Sequence, residues 1–79
     1  MRIFWVDKSI DIRKMEGKKT TQCRIIKFFD GTIALFSLDE EELTLIAYFT
    51  DVIDFSSRGQ NYNFYKMDIS LIVSQLQDN

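Results

Sequence analysis

The residues that could do chemistry in this 79-residue chain are few, and Asp39, Glu40, Glu41 and Glu42 stand out as four consecutive carboxylates. A calcium loop needs spaced oxygen ligands and a sharp glycine turn, and this run offers neither. Ser37 and Glu40 instead form the S-x-x-E pattern of a helix cap, after which the carboxylates would complement a helix dipole. Cys23 is the only cysteine, which precludes an internal disulfide, and on a predicted strand it reads as a small buried hydrophobe. The chain has no histidine, so the commonest general base and transition-metal ligand are both missing. Gly17, Gly31 and Gly59 are isolated, so no glycine-rich phosphate loop exists. The sequence therefore assigns no catalytic, cofactor-binding or metal-binding residue, and an enzyme is not expected.

Two other combinations of side chains point to binding. Aromatic and cationic residues that stand clear of a small core are the usual anchors of a protein interface, and Trp5, Phe28, Arg58, Tyr62 and Tyr65 are the candidates here. Arg13, Lys14, Lys18, Lys19, Arg24 and Lys27 lie on or beside predicted strands with Phe28 and Phe29, a mixture that can stack single-stranded nucleic acid on a sheet. Protein docking is the leading expectation, as inhibitor, adaptor or regulatory subunit, on another protein or on a second copy. Single-strand nucleic-acid binding through residues 13–29 is the alternative, weakened by an acidic second half that would repel phosphates.

The elements that position these residues follow from three glycines in a proline-free chain. Each glycine marks an expected hairpin turn, at Gly17, at Asp30-Gly31 and at Arg58-Gly59. A Gly17-Lys18 loop sets Met15 opposite Thr20, Ile12 opposite Cys23, Asp11 opposite Arg24 and Ile10 opposite Ile25. A two-residue Asp30-Gly31 loop sets Phe28 opposite Ile33 and Ile25 opposite Phe36, placing Cys23, Ile25, Phe29, Ala34, Phe36 and Leu38 on the core face. Ile26, Phe28, Ile33 and Leu35 then form a second apolar patch on the opposite face, which something must cover. The capping pattern predicts a helix over about 39–49 as that cover, with a strand through Leu43–Phe49 as the rival, because Thr44, Ile46, Tyr48 and Phe49 favour strands. Residues 50–66 read as the third hairpin. Asp68 caps a predicted C-terminal helix over about 68–77, with Ile69, Ile72, Val73 and Leu76 on one stripe. The expected class is α+β in a single domain, 1–79.

At this length one core holds the fold with little margin, and a dimer or permanent partner would supplement it. Net charge is −2, but residues 1–29 carry eight basic residues against three carboxylates, a net of +5, and residues 30–79 carry two against nine, a net of −7. With a lone cysteine and no apolar run long enough for a signal peptide or a membrane span, the expected compartment is the cytoplasm. Chains this short and free of motifs are common among viral and mobile-element products that act by binding.

Overall fold

The computed structural model describes residues 5–39 and 41–77. It is an α+β fold in which four consecutive strands form an antiparallel sheet in the order β1-β2-β3-β4. These are β1 (Val6–Glu16), β2 (Lys19–Phe28), β3 (Ile33–Asp39) and β4 (Glu42–Phe49). Helix α1 (Val52–Arg58) follows, running into a 3-10 turn over Gly59–Asn61, and α2 (Ile69–Gln77) closes the chain. No helix among the described residues is long and apolar enough to cross a membrane.

The first hairpin has the register its sequence specifies. Met15 pairs with Thr20, Ile12 with Cys23, Asp11 with Arg24 and Ile10 with Ile25, and Gly17 supplies the left-handed residue of the turn at φ +60°. The second hairpin turns near Asp30-Gly31 but with a three-residue loop. Phe28 N–H donates to the Thr32 carbonyl at 2.8 Å and Gly31 N–H donates to the Phe28 carbonyl at 3.0 Å, with Gly31 at φ +94°. This is a tight turn closed by a left-handed glycine. Asp30 fastens it by accepting from the backbone N–H and the hydroxyl of Thr32 at 3.0 and 2.6 Å. The added loop residue slips the pairing by one position, so Lys27 meets Ile33, Ile25 meets Leu35 and Arg24 meets Phe36. A one-residue slip exchanges the faces of a strand. Ile33 and Leu35 are consequently in the core, Phe36 and Leu38 are on the opposite face, and Phe29 sits in the loop, 67% exposed.

Residues 42–49 form a strand, correcting the expected helix over 39–49. Ser37, expected as its cap, lies within β3 and pairs with Thr44. β-Branched and aromatic side chains at 44, 46, 48 and 49 suit a pleated surface, and β4 satisfies the backbone groups along β3. Ile46 is an extra residue in this ladder, a bulge between the Leu35-Ala47 and Phe36-Leu45 pairs.

Residues 52–61 are helical, correcting the expected Arg58-Gly59 hairpin. Asp51 is the N-cap, its carboxylate accepting from Asp54 N–H at 2.7 Å. Asp54 in the first turn is bridged by Arg58 in the last, an i, i+4 pair that also suits the helix dipole. Gly59 serves close packing, since it has an ordinary φ of −63° and a Cβ there would lie 2.6 Å from Ile69 Cδ1 and 3.3 Å from Phe55 Cε1. The stretch expected as the second strand of that hairpin lies beside β1 instead. Met15 N–H donates to Asn63 O at 2.7 Å and Tyr65 N–H to Arg13 O at 2.8 Å, around an isolated Lys14-Phe64 bridge. The C-terminal helix forms as expected, with Ile72 and Leu76 buried.

Both helices lie on one face of the sheet. Ile12, Cys23, Ile25, Ile33, Leu35 and Phe49 from the strands meet Phe55, Ile72 and Leu76 from the helices in a single core with Phe64. Phe55 meets Phe49 edge-on, ring centres 5.0 Å apart at 87°, and Lys27 Nζ donates to the Leu76 carbonyl at 3.3 Å, capping the end of α2. Because Gly59 is enclosed by Ile69 and Phe55, Gly59→Leu should overpack this seam and cost about 1–3 kcal/mol. Thermal unfolding should show a Tm lower by roughly 4–8 °C per kcal/mol.

Candidate functional site

The face of the sheet opposite the helices is the main unoccupied apolar surface among the described residues. Alternation along the strands assigns its members by register. One row across the sheet is Arg13, Gln22, Leu38 and Leu43; the next is Asp11, Arg24, Phe36 and Leu45; the third is Ser9, Ile26, Ala34 and Tyr48; Val6 and Phe28 follow. The β1 side is polar and the β3-β4 side apolar. Leu45 is 55% exposed, Tyr48 50% and Leu43 42%, positions at which a covered sheet would have buried them. Phe28, Ala34, Phe36, Leu45 and Tyr48 surround an open depression of about 320 Å³ with Asp30 and Thr32 at its rim. Ala34 is its floor, buried at 3% exposure beneath the larger side chains.

The free edge of β4 is less available than this face. The Ile46 bulge twists it, and the Arg58 guanidinium donates to the Tyr48 carbonyl at 2.7 Å while lying 4.8 Å from the centre of the Phe49 ring. A bulge and a charged side chain on an edge are what discourages further strand pairing. Asp54 holds that arginine in place at 2.6 and 2.7 Å, and also accepts from Thr50 N–H at 3.0 Å. The Arg58 guanidinium, with the Thr50 N–H second, holds the Asp54 carboxyl far below the usual aspartate range.

The anchor residues expected from sequence do not assemble into one surface. Phe28 lies on the open face. Trp5, 73% exposed, precedes Val6, which pairs with Phe28 at the corner of that face. Tyr65 is at the β1 edge with the Lys66 ammonium 5.2 Å from its ring centre. Tyr62 belongs to the helix side, between Phe49 and Phe64 with ring centres 6.3 Å from each. Arg58 caps the β4 edge.

The basic residues divide as well. Arg13 and Arg24 are on the open face, and Arg24 Nε donates to Asp11 at 2.8 Å, which lowers the Asp11 carboxyl. Lys14 and Lys27 are on the helix face, Lys14 paired with Glu16 and Lys27 lying 3.9 Å from Asp7. Lys18 and Lys19 form the tip of the first hairpin. Cys23 is fully buried, and burial pushes its thiol up, which keeps it protonated and unreactive.

Sequence reasoning missed Phe36, Leu38, Leu43, Leu45 and Tyr48 as surface residues. The signal that carries the β4 members is the Leu43-x-Leu45 alternation, with Tyr48 falling on the same face because the bulge intervenes. Compared with known proteins, the chain matches no family model, no curated protein and no solved structure.

Because Asp54 is lowered in the fold, the stability it contributes is present above its unfolded value of 3.8 and is lost as pH falls toward the folded value. The stability gap between wild type and Asp54→Asn, measured by urea unfolding at several pH values, should therefore stay constant near neutrality. It should narrow progressively below about pH 4.

Proposed function

We propose that the chain is a non-enzymatic protein–protein interaction domain whose working surface is the open sheet face. The observation that carries this reading is the one-sided placement of the helices, which leaves Phe36, Leu43, Leu45 and Tyr48 facing away from the core on a regular four-stranded platform. Fully burying a leucine contributes about 1.5–3 kcal/mol, so covering Leu43 and Leu45 alone is a substantial share of an association energy. Side chains held on strands lose little further freedom on binding, which favours this face over a loop.

Single-strand nucleic-acid binding is the second reading, favoured by Phe28, Phe36 and Tyr48 standing near Arg24 on a sheet. Its charge balance is poor. Arg24 is already paired with Asp11, and Asp30 is at the rim of the depression. Protein docking needs no such cation excess.

Leu45→Glu places a charge at the centre of the proposed surface, whereas Ile53→Glu makes the same kind of change at a residue 77% exposed on α1, in the other layer. Tagged wild type, incubated in nuclease-treated extract, should retain a stoichiometric protein, whether another chain or untagged copies of this one. Leu45→Glu should lose it and Ile53→Glu should keep it, both with native circular dichroism. Retention by Leu45→Glu overturns the proposed surface. No protein from treated extract but nucleic acid from untreated extract, with binding that weakens steeply with the logarithm of salt concentration, establishes the second reading.

A further inference from the structure

We infer that the cleft between β1 and the Tyr65-Lys66-Met67 turn is a binding site for a phosphate group, separate from the open face and independent of the docking reading. Its basis is the place where the last extended segment leaves the sheet. Glu16 and Lys19 flank the two-residue first turn, so between Ile10 and Glu16 the even-numbered residues of β1 bond to β2 and the odd-numbered ones turn their backbone groups outward. Residues 63–65 satisfy two of these groups, Met15 N–H donating to Asn63 O at 2.7 Å and Arg13 O accepting from Tyr65 N–H at 2.8 Å. The ladder stops there. Lys66 swings the chain away at φ +55°, and the Arg13 N–H, the next outward donor, meets no backbone acceptor among the described residues.

The departure leaves a cavity of about 290 Å³ between Asp11 and Arg13 on one wall and Tyr65, Lys66 and Met67 on the other, with Gln22 beside Arg13 on β2. Two cations border it. The Arg13 side chain is exposed and makes no hydrogen bond or ion pair among the described residues. The Lys66 ammonium lies 5.2 Å from the centre of the Tyr65 ring, which holds it at the cavity wall. One carboxylate also borders the space, that of Asp11, and it is engaged by the Arg24 guanidinium at 2.8 and 3.5 Å. Arg24 therefore offsets Asp11, and the charges of Arg13 and Lys66 remain without a counterion.

A phosphate group uses all of these donors. A guanidinium forks onto two oxygens, a backbone N–H takes a third, and an ammonium offsets the second negative charge that a phosphate monoester carries near neutral pH. A carboxylate, with two oxygens and one charge, would leave part of the set unused. The Met67 side chain and the Tyr65 ring supply an apolar wall for the group that carries the phosphate, and the cavity is of the size that takes a small ester. The backbone at Lys66 points the same way. It is the one non-glycine residue with positive φ among the described residues, a conformation that costs a lysine stability and a glycine little. Glycine there would relieve the strain but remove the ammonium from the cavity.

The deciding experiment is a titration of the nitrogen-15-labelled full chain with inorganic phosphate, followed by amide NMR shifts at constant ionic strength with chloride as the balancing salt. The Arg13 amide resonance should shift and saturate, with smaller changes at Gln22 and residues 65–67 and none at Leu45 or Tyr48 on the open face. Arg13→Gln and Lys66→Gly should each raise the dissociation constant roughly tenfold, whereas Lys18→Gln, at the hairpin tip, should leave it unchanged. Lys66→Gly should at the same time raise Tm, since it relieves the left-handed backbone; loss of binding in a more stable protein separates a ligand-holding lysine from a structural one. Should Arg13→Gln fail to fold, Lys66→Gly carries the test alone. Phenyl phosphate binding more tightly than inorganic phosphate identifies an esterified phosphate as the ligand, and equal or weaker binding identifies free phosphate. Shifts that chloride alone reproduces overturn the site, as does saturable binding indifferent to both Arg13→Gln and Lys66→Gly.

Discussion

The turn at Phe29-Asp30-Gly31 decides which surface this protein shows to its surroundings. A three-residue loop, with Gly31 at φ +94° and Asp30 holding Thr32, fixes the pairing of β2 with β3. Since side chains alternate with a period of two, that single register assigns Ile33 and Leu35 to the helices and Phe36 and Leu38 to the open face. β4 inherits the assignment through its own pairing with β3, which sends Phe49 inward and Leu45 and Tyr48 outward. The core and the candidate site are thus two consequences of one loop length.

The helical layer then completes only one of the two faces. Phe55 against Phe49, Gly59 against Ile69, and Ile72 and Leu76 over β1 and β2 make a continuous apolar interior in which, among the described residues, no buried side-chain polar atom lacks a partner. Residues 63–65 are used to cover the outer edge of β1, and Arg58 to occupy part of the β4 edge. Among the described residues, both helices and the last extended segment are then placed on the other face and at the edges, and none of them packs over the second face.

What could be read in the sequence was local chemistry, and what could not was the count of residues in a loop or the reason for a glycine. The Gly17 hairpin, with its Asp11-Arg24 pair, was legible because a two-residue turn leaves one choice of register. The C-terminal helix was legible from its stripe at i, i+3, i+4 and i+7. The β2-β3 register was off by one because Asp-Gly fits both a two-residue loop and the end of a three-residue loop, and only tertiary burial of Ile33 and Leu35 separates them. Gly59 resembled a turn glycine, whereas its lack of a side chain serves a close contact that no local window reveals. The Asp51, Asp54, Arg58 spacing was a helix signal present in the sequence, masked by the strand propensity of Tyr62, Phe64 and Tyr65. For the site, Phe28 was legible, but its neighbours on β4 depended on reading 43–49 as a strand.

The order of elements along the chain also bears on how the molecule comes into being. Each strand pairs with the one just before it, so the sheet grows by short loop closures, whereas α2 must return across the length of the chain to reach β1 and the Lys27 ammonium. Local closures are fast and distant ones slow. During synthesis the meander therefore exists before its helices have emerged, with apolar residues bare on both sides at once. That interval, ended only when Leu76 reaches Lys27, is when the nascent chain is most prone to aggregate.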